Sequence, residues 1–239
     1  MTQHSVRKFD AARAGEYATQ SRIALAGYDA CHELSACMLS AALGEGKAAR
    51  VFVVGAGGTA GEIIAAARLE PAWSFVAVDP SEPMLDLARA YLDAAGLADR
   101  VDTILGDVED IAATPAYDAA IMIGVLHHLP GEDAKQKILA QIATRLIPDA
   151  PLVVAGNYRP YTSQPLLMAA WAARWRMNGA TPDEVQSKMN KILLGAKPPE
   201  SEEALSALLE NAGFEQPLRF FASLFWGAWF TRRAIRTVS

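Results

Sequence analysis

The sequence predicts a single α/β domain built on a seven-stranded, mostly parallel sheet. A helical segment precedes the sheet and a helical insertion follows its fifth strand. Three observations carry this reading. Short apolar, β-rich runs alternate with helical segments through the middle of the chain. Each of these runs ends in a polar residue or a glycine, as strands do where an open sheet presents its carboxyl ends to a ligand. Near the end of the chain, two aromatic runs lie on either side of a very short break, which is a hairpin signal.

In order, Ile23, Leu25, Tyr28, Leu34, Met38, Leu39 and Leu43 recur at helical spacing, and Gly44 and Gly46 close that segment. Residues 51–54 form a wholly apolar run that suits a strand buried on both faces. Helix follows at 62–69, strand at 75–78 ending on Asp79, and an amphipathic helix at 82–95. In that helix Met84, Leu85, Ala88, Tyr91 and Leu92 are expected to face inward. Strands follow at 101–105 and 119–123, helix at 132–146, and a fifth strand at 151–155. Helices are expected at 165–179, 182–194 and 201–212, the last capped by Ser201 and closed by Gly213. The runs 218–221 and 224–230 give the antiparallel pair. The chain divides into a helical lid (1–48), a core (49–156), an insertion (157–198) and a final helix with hairpin (199–239).

Composition excludes several classes. Half the residues are apolar (51%) and 21% are charged, which rules out a disordered or low-complexity chain. Lys plus Arg number 22 against 27 Asp plus Glu, a net charge of −5, so no direct nucleic-acid partner is expected. The first ten residues lack the apolar stretch of a secretory signal, and no run is apolar enough to span a bilayer. Cys31 and Cys37 are the only cysteines and cannot frame a zinc site, so a reducing, cytoplasmic setting is expected. No His, Cys or acid spacing points to a metal, and His4 and His32 have no partner pattern.

The first candidate site is Gly55-Ala-Gly-Gly-Thr59, which follows a strand and opens a helix. Glycines let a backbone approach a ligand closely, and a helix start offers free N–H groups. Asp79 lies 24 residues after Gly55, at the end of the next strand. An acid there can accept both hydroxyl protons of a ribose, so the two features together predict a bound nucleoside. The loop also satisfies a dinucleotide fingerprint, which keeps a nicotinamide oxidoreductase open at this point.

Six segments in order resemble class I S-adenosylmethionine-dependent methyltransferases, whose sheet is Rossmann-like. They are Val51-Phe-Val-Val-Gly-Ala-Gly-Gly-Thr59, Val76-Ala-Val-Asp79-Pro-Ser-Glu-Pro-Met84, and Ile104-Leu-Gly-Asp107-Val108. Then come Ile123-Gly-Val-Leu-His127-His128-Leu129-Pro130, Leu146-Ile-Pro-Asp-Ala-Pro-Leu-Val-Val154 and Asn211-Ala-Gly-Phe214. Ser21-Arg22-Ile23 with Gly27-Tyr28 is similar to the lid of carboxy-S-adenosylmethionine synthases, enzymes of the tRNA wobble-uridine pathway.

The resemblance implies S-adenosylmethionine as cofactor, with its carboxylated relative as the alternative, and a small-molecule acceptor. It implies that Gly55, Ala56, Gly57, Gly58 and Thr59 form the cofactor loop and Asp79 clamps the ribose, with Pro80 beside it. Asp107 and Val108 would meet the adenine edge, Met84 its face, and Ile123 would end the fourth strand beside the donor. Arg22 and Tyr28 would close over the amino-acid end, and His127 is the candidate catalytic base.

The departures from the family pattern are specific. The acid usual at the end of strand one is Val53, and the third loop glycine is Thr59 or is displaced to Gly61. The asparagine expected after strand four is Ile123. The helix in which the synthases carry a basic residue for their extra carboxylate has neither Lys nor Arg between Glu202 and Glu210. A plain methyltransferase, a synthase-like enzyme and a non-catalytic cofactor-binding protein therefore all stand as readings.

Trp171 and Trp175 share a helix face, which suits an acceptor lid but equally a core stripe or a dimer contact. Trp226 and Trp229 suit a homodimer surface or packing on the chain's own helices. Arg232, Arg233 and Arg236 are read as a solvated tail.

Overall fold

The computed structural model describes residues 11–235, so His4 and Arg236 lie outside the described residues. The described residues hold eight α-helices and seven strands. Helices α1 (Ala11–Ala24) and α2 (Tyr28–Leu43) precede β1 (Ala49–Val54), α3 (Gly61–Leu69) and β2 (Trp73–Asp79). Then follow α4 (Glu82–Ala94), β3 (Val101–Leu105), β4 (Ala119–Ile123), α5 (Gly131–Arg145) and β5 (Pro151–Asn157). The insertion is α6 (Pro165–Met177) and α7 (Pro182–Gly195), and α8 (Glu202–Asn211), β6 (Leu218–Ser223) and β7 (Trp226–Arg232) complete the fold.

The sheet order is β3-β2-β1-β4-β5-β7-β6. The five strands from β3 to β5 run parallel, and β7 enters antiparallel between β5 and the edge strand β6. Alternation along β1 divides the core. Phe52 and Val54 face the layer containing Leu139, Leu205 and Trp229, which belong to α5, α8 and β7. Val51 and Val53 face Leu39, Ile63 and Leu92, which belong to α2, α3 and α4. Helices thus cover both faces, as a parallel sheet requires.

A third apolar cluster ties the insertion to the lid, joining Ile23 to Trp171, Trp175, Val185, Met189 and Phe225. Trp171 and Trp175 are therefore core residues. The last carbonyls of α1 lack intrahelical donors, as at any helix end, and α6 supplies them. Trp171 Nε1 donates to Ala24 O at 2.8 Å, and Arg174 donates to Ile23 O at 2.8 Å and to Arg22 O at 2.9 Å.

Three local expectations are corrected. The lid breaks at Gly27, whose φ of 83° separates α1 from α2. Tyr91 turns outward, because Met84, Leu85, Ala88 and Leu92 already fill the stripe that α4 presents to the sheet. The hairpin turns at Leu224 and Phe225 rather than between 221 and 224. Leu224 takes φ 53°, the positive value a two-residue hairpin turn requires at its first position.

Candidate functional site

The sheet reverses its order of growth between β1 and β4, and open α/β sheets bind ligands at that crevice. The carboxyl ends of three strands are stitched together there. Gly55 and Ala56 donate to Val78 O at 2.8 and 3.2 Å, and Gly106 donates to Asp79 O at 3.0 Å. Gly55, at φ 72°, turns the chain out of β1, and a Cβ there would lie 2.2 Å from Val125. Gly58 N–H donates to Met84 O at 2.9 Å, which fixes the loop against the start of α4.

Asp79 stands at the centre of this crevice. Its Oδ2 accepts the Gly57 N–H at 2.9 Å and its Oδ1 accepts the Ser81 N–H at 2.8 Å. Each carboxylate oxygen therefore keeps one lone pair for a further donor. Burial holds this carboxyl above its ordinary range against the opposing pull of the two N–H groups, and the charges of Glu62 and Asp107 push the same way. Asp107 ends the loop after β3. Its carboxylate accepts the Asp110 N–H, while its own N–H donates to Asp110 Oδ2 at 2.7 Å. Val108 and Met84 are buried, and Pro80 and Ile123 are half-buried at the same rim.

The lid brings Tyr28 to the loop, where its hydroxyl shares a 2.7 Å hydrogen bond with Thr59 Oγ1. Behind this pair, His32 Nδ1 donates to Tyr28 O at 2.7 Å and His32 Nε2 faces Glu62 Oε2 at 3.4 Å. Burial disfavours the charged imidazole, but the hydrogen bond and charge of Glu62 outweigh it and hold His32 above its usual value. Burial, with Glu62 adding to it, pushes the Tyr28 hydroxyl up to about 12. Burial also pushes the Cys31 thiol up to about 12, so it is no nucleophile. Tyr17 of α1 lies on the loop itself, its ring edge 2.4 Å from where a Gly58 Cβ would stand.

Arg22 comes to the outer side of the loop. Its guanidinium pairs with Asp29 at 2.7 Å and covers the Tyr28 ring at 4.7 Å. It lines an outer groove of about 580 Å³ with Thr59 and Gly61 of the loop, His32, Arg68 and the outward Tyr91.

Across the crevice, His127 is buried at the end of β4. Its Nδ1 accepts the Asn157 N–H at 3.3 Å, and its ring meets Trp226 edge-on at 5.2 Å. A neutral imidazole that accepts at Nδ1 carries its proton on Nε2, so it has no lone pair left for a second proton.

Sequence reasoning did not single out Tyr17, Glu62, Asn157 or Trp226 for the site. The nearest signals were an acid in the first turn of the loop helix and a tryptophan opening the hairpin's second strand. Among the described residues no group of three or more His, Cys, Asp or Glu could hold a metal ion. Among them, too, no helix is long and apolar enough to cross a membrane.

Comparisons with known proteins agree with this fold. A family model described as a methyltransferase domain matches residues 52–152. The carboxy-S-adenosyl-L-methionine synthase of Actinobacillus succinogenes is 29% identical over 161 residues, 66% of this chain and 66% of that protein. The synthase of the same name from Escherichia coli K12 is 28% identical over 155 residues, 64% of this chain and 62% of that protein. The matches thus span just under two thirds of these relatives' length. Among solved structures, the mitomycin 7-O-methyltransferase MmcR aligns at a TM-score of 0.60 and 25% identity, covering 84% of this chain and 54% of its own. An O-methyltransferase family 2 protein from Planctomyces limnophilus, in complex with apigenin, aligns at 0.67 and 14% identity, covering 98% and 62%. That last likeness shows the fold alone.

The fold is that of class I S-adenosylmethionine-dependent methyltransferases. Residues 52–152 carry a methyltransferase domain.

Proposed function

We propose that the protein binds S-adenosylmethionine across the ends of β1, β2 and β3 and transfers its methyl group to a small-molecule acceptor. The observation that carries this is the Asp79 carboxylate, held by Gly57 and Ser81 with one lone pair free on each oxygen. Two free lone pairs match the two hydroxyl donors of a ribose. Asp107 takes the adenine amino group, Val108 its ring edge and Met84 its face, with Pro80 at the rim. Gly55, Ala56, Gly57, Gly58 and Thr59 shape the floor, and Ile123 bounds it at β4.

Glu62 supplies the carboxylate that Val53 does not, beside the amino-acid end. Its burial and its influence on Tyr17, Tyr28 and Asp79 support this. Tyr28 closes the lid through Thr59, and Arg22 acts behind it by covering the outer face of the Tyr28 ring. When bound, the cofactor supplies a methyl group on a positively charged sulfur whose leaving group needs no proton. The protein's share is to align the acceptor and exclude water. In this reading His127 holds Asn157 in place and does not take a proton.

A second reading rests on the curated relatives, which are carboxy-S-adenosyl-L-methionine synthases. Against it, α8 offers no cation for an extra carboxylate. That helix opens instead on Glu202, which pairs with Arg219 at 2.6 Å and accepts Trp229 Nε1–H at 3.0 Å.

The reading extends to a cytoplasmic protein that uses no nucleic acid, supported by its net charge of −5 and two free thiols. It also includes a homodimer, for which exposed Leu166, Met177 and Leu194 offer apolar surface on α6 and α7. Mass spectrometry of the small molecule released on denaturing the purified protein tests the function. S-adenosylmethionine or its homocysteine product is expected, and a carboxylated relative would favour the synthase. If nothing co-purifies, calorimetry with added S-adenosylmethionine decides, and absence of binding heat overturns the proposal.

A further inference from the structure

Asn157 ends β5 and Trp226 opens β7, and the two are register partners across the antiparallel ladder. Tyr158 N–H donates to Phe225 O at 3.2 Å, so the neighbouring 157/226 pair is of the non-hydrogen-bonded kind, whose side chains stand close together. Asn157 is only 5% exposed. Its Nδ2 donates to the Tyr161 hydroxyl at 2.8 Å, but its Oδ1 is buried with no partner. The Trp226 indole Nε1–H is also buried with no partner. An orphaned acceptor and an orphaned donor on facing side chains are costly unless something satisfies them.

Their place gives the cost a purpose. Trp226 packs on Leu25 and Tyr28 of the lid and on Ala155 of β5. Its Cη2 lies 3.7 Å from the Cβ position of Gly124, at the end of β4. The pair thus stands at the carboxyl end of the sheet, beyond β4 from Asp79. Tyr161, bonded to Asn157, also lines a cavity of about 310 Å³ between the start of α5 and the end of α7, with Lys135, Leu193 and Lys197.

We propose that Asn157 and Trp226 form the polar subsite for the acceptor, and that the group it takes is a neutral hydroxyl. One hydroxyl oxygen can donate its proton to Asn157 Oδ1 and accept from Trp226 Nε1–H. A carboxylate has no proton to offer Oδ1, and an ether has none either. The inference rests on the methyltransferase reading, since it takes the sheet end beyond β4 from Asp79 as the acceptor side.

The test uses the full chain with labelled tryptophan indoles, saturated with S-adenosylhomocysteine, and phenol, anisole and benzoate as probes. The chain's 5 tryptophans give separate indole signals, and the signal lost in Trp226→Phe is that of Trp226. Phenol is expected to move this signal and to bind at least about fivefold tighter than anisole or benzoate. Trp226→Phe and Asn157→Leu should abolish that preference while S-adenosylhomocysteine affinity stays within about twofold. If S-adenosylhomocysteine binds but phenol leaves the signal unmoved, or benzoate binds as well as phenol, this inference alone is overturned. If S-adenosylhomocysteine does not bind, the methyltransferase reading fails and takes the inference with it.

Discussion

The Gly57 amide donates to Asp79 Oδ2 at 2.9 Å, so the cofactor loop and the end of β2 are built as one unit. A Cβ on Gly57 would lie 2.6 Å from Met84 Cβ and 2.7 Å from Asp79 Oδ2. Neither atom is the free end of a flexible side chain. The glycine is required here by close approach, and its φ is not positive.

Gly57→Ala should therefore displace Asp79 together with the loop. The strain of an added methyl in a packed site is about 1–3 kcal/mol. Calorimetry should show S-adenosylmethionine binding weakened by about tenfold or more, with a lowered Tm. Unchanged affinity would separate Asp79 from cofactor binding.

Asp79 also sets a pH dependence. Burial raises its carboxyl in the folded protein. Without ligand, the folded state holds this proton to higher pH than the unfolded chain. Its stabilising contribution is present below the unfolded value, about 3.9, and is lost as pH rises through the folded value. Ribose hydroxyls need the ionised form, so cofactor affinity should fall as pH drops through the raised folded value. Asp79→Asn should bind weakly and flatten that profile. Calorimetric titrations across the acid range provide the check.

Local signals and tertiary contacts account for what the sequence could and could not reveal. The places of Asp79, which ends β2, and Asp107, two residues after β3, were legible because in a parallel sheet all strand ends of one kind face the same crevice. Trp171 and Trp175 were legible as a stripe, but the anchor of the lid was not, because the carbonyls that Trp171 and Arg174 bind lie about 150 residues away. Glu62 carries no periodic signature. Its place depends on α2 packing against α3, which sets His32 beside it. The Arg22–Asp29 pair was hidden for a related reason: it depends on the break at Gly27 between α1 and α2. Asn157 and Trp226 are neighbours only because β7 enters antiparallel beside β5.

The His32–Glu62 pair predicts a second pH effect, on stability. His32 is held above its usual value when folded, so its contribution is fully present below the unfolded value, about 6.5. That contribution should be lost as pH rises through the folded value. Denaturant melts of the wild type should show this loss, and His32→Gln should remove it. Glu62→Ala removes the charge that favours the imidazolium, so burial should then hold His32 neutral and the pH-dependent contribution should vanish. Glu62→Gln should lower the His32 titration point in NMR.

The lid's attachment predicts a kinetic effect without a change at the crevice. Arg174 donates to two successive carbonyls at the end of α1 and Trp171 donates to the third. A guanidinium fork can hold two acceptors in fixed geometry, and a lysine ammonium cannot. Arg174→Lys should therefore keep the charge but loosen α1, and with it Tyr17 over Gly58. Hydrogen exchange over residues 16–24 should speed up, and the KM for S-adenosylmethionine should rise while Asp79 still binds. Losing one such charged hydrogen bond, about 1.5–3 kcal/mol, sets the upper bound at a rise of roughly tenfold to a hundredfold. Unchanged exchange in Arg174→Lys would mean that the apolar cluster of Ile23, Trp171 and Phe225 holds the lid by itself.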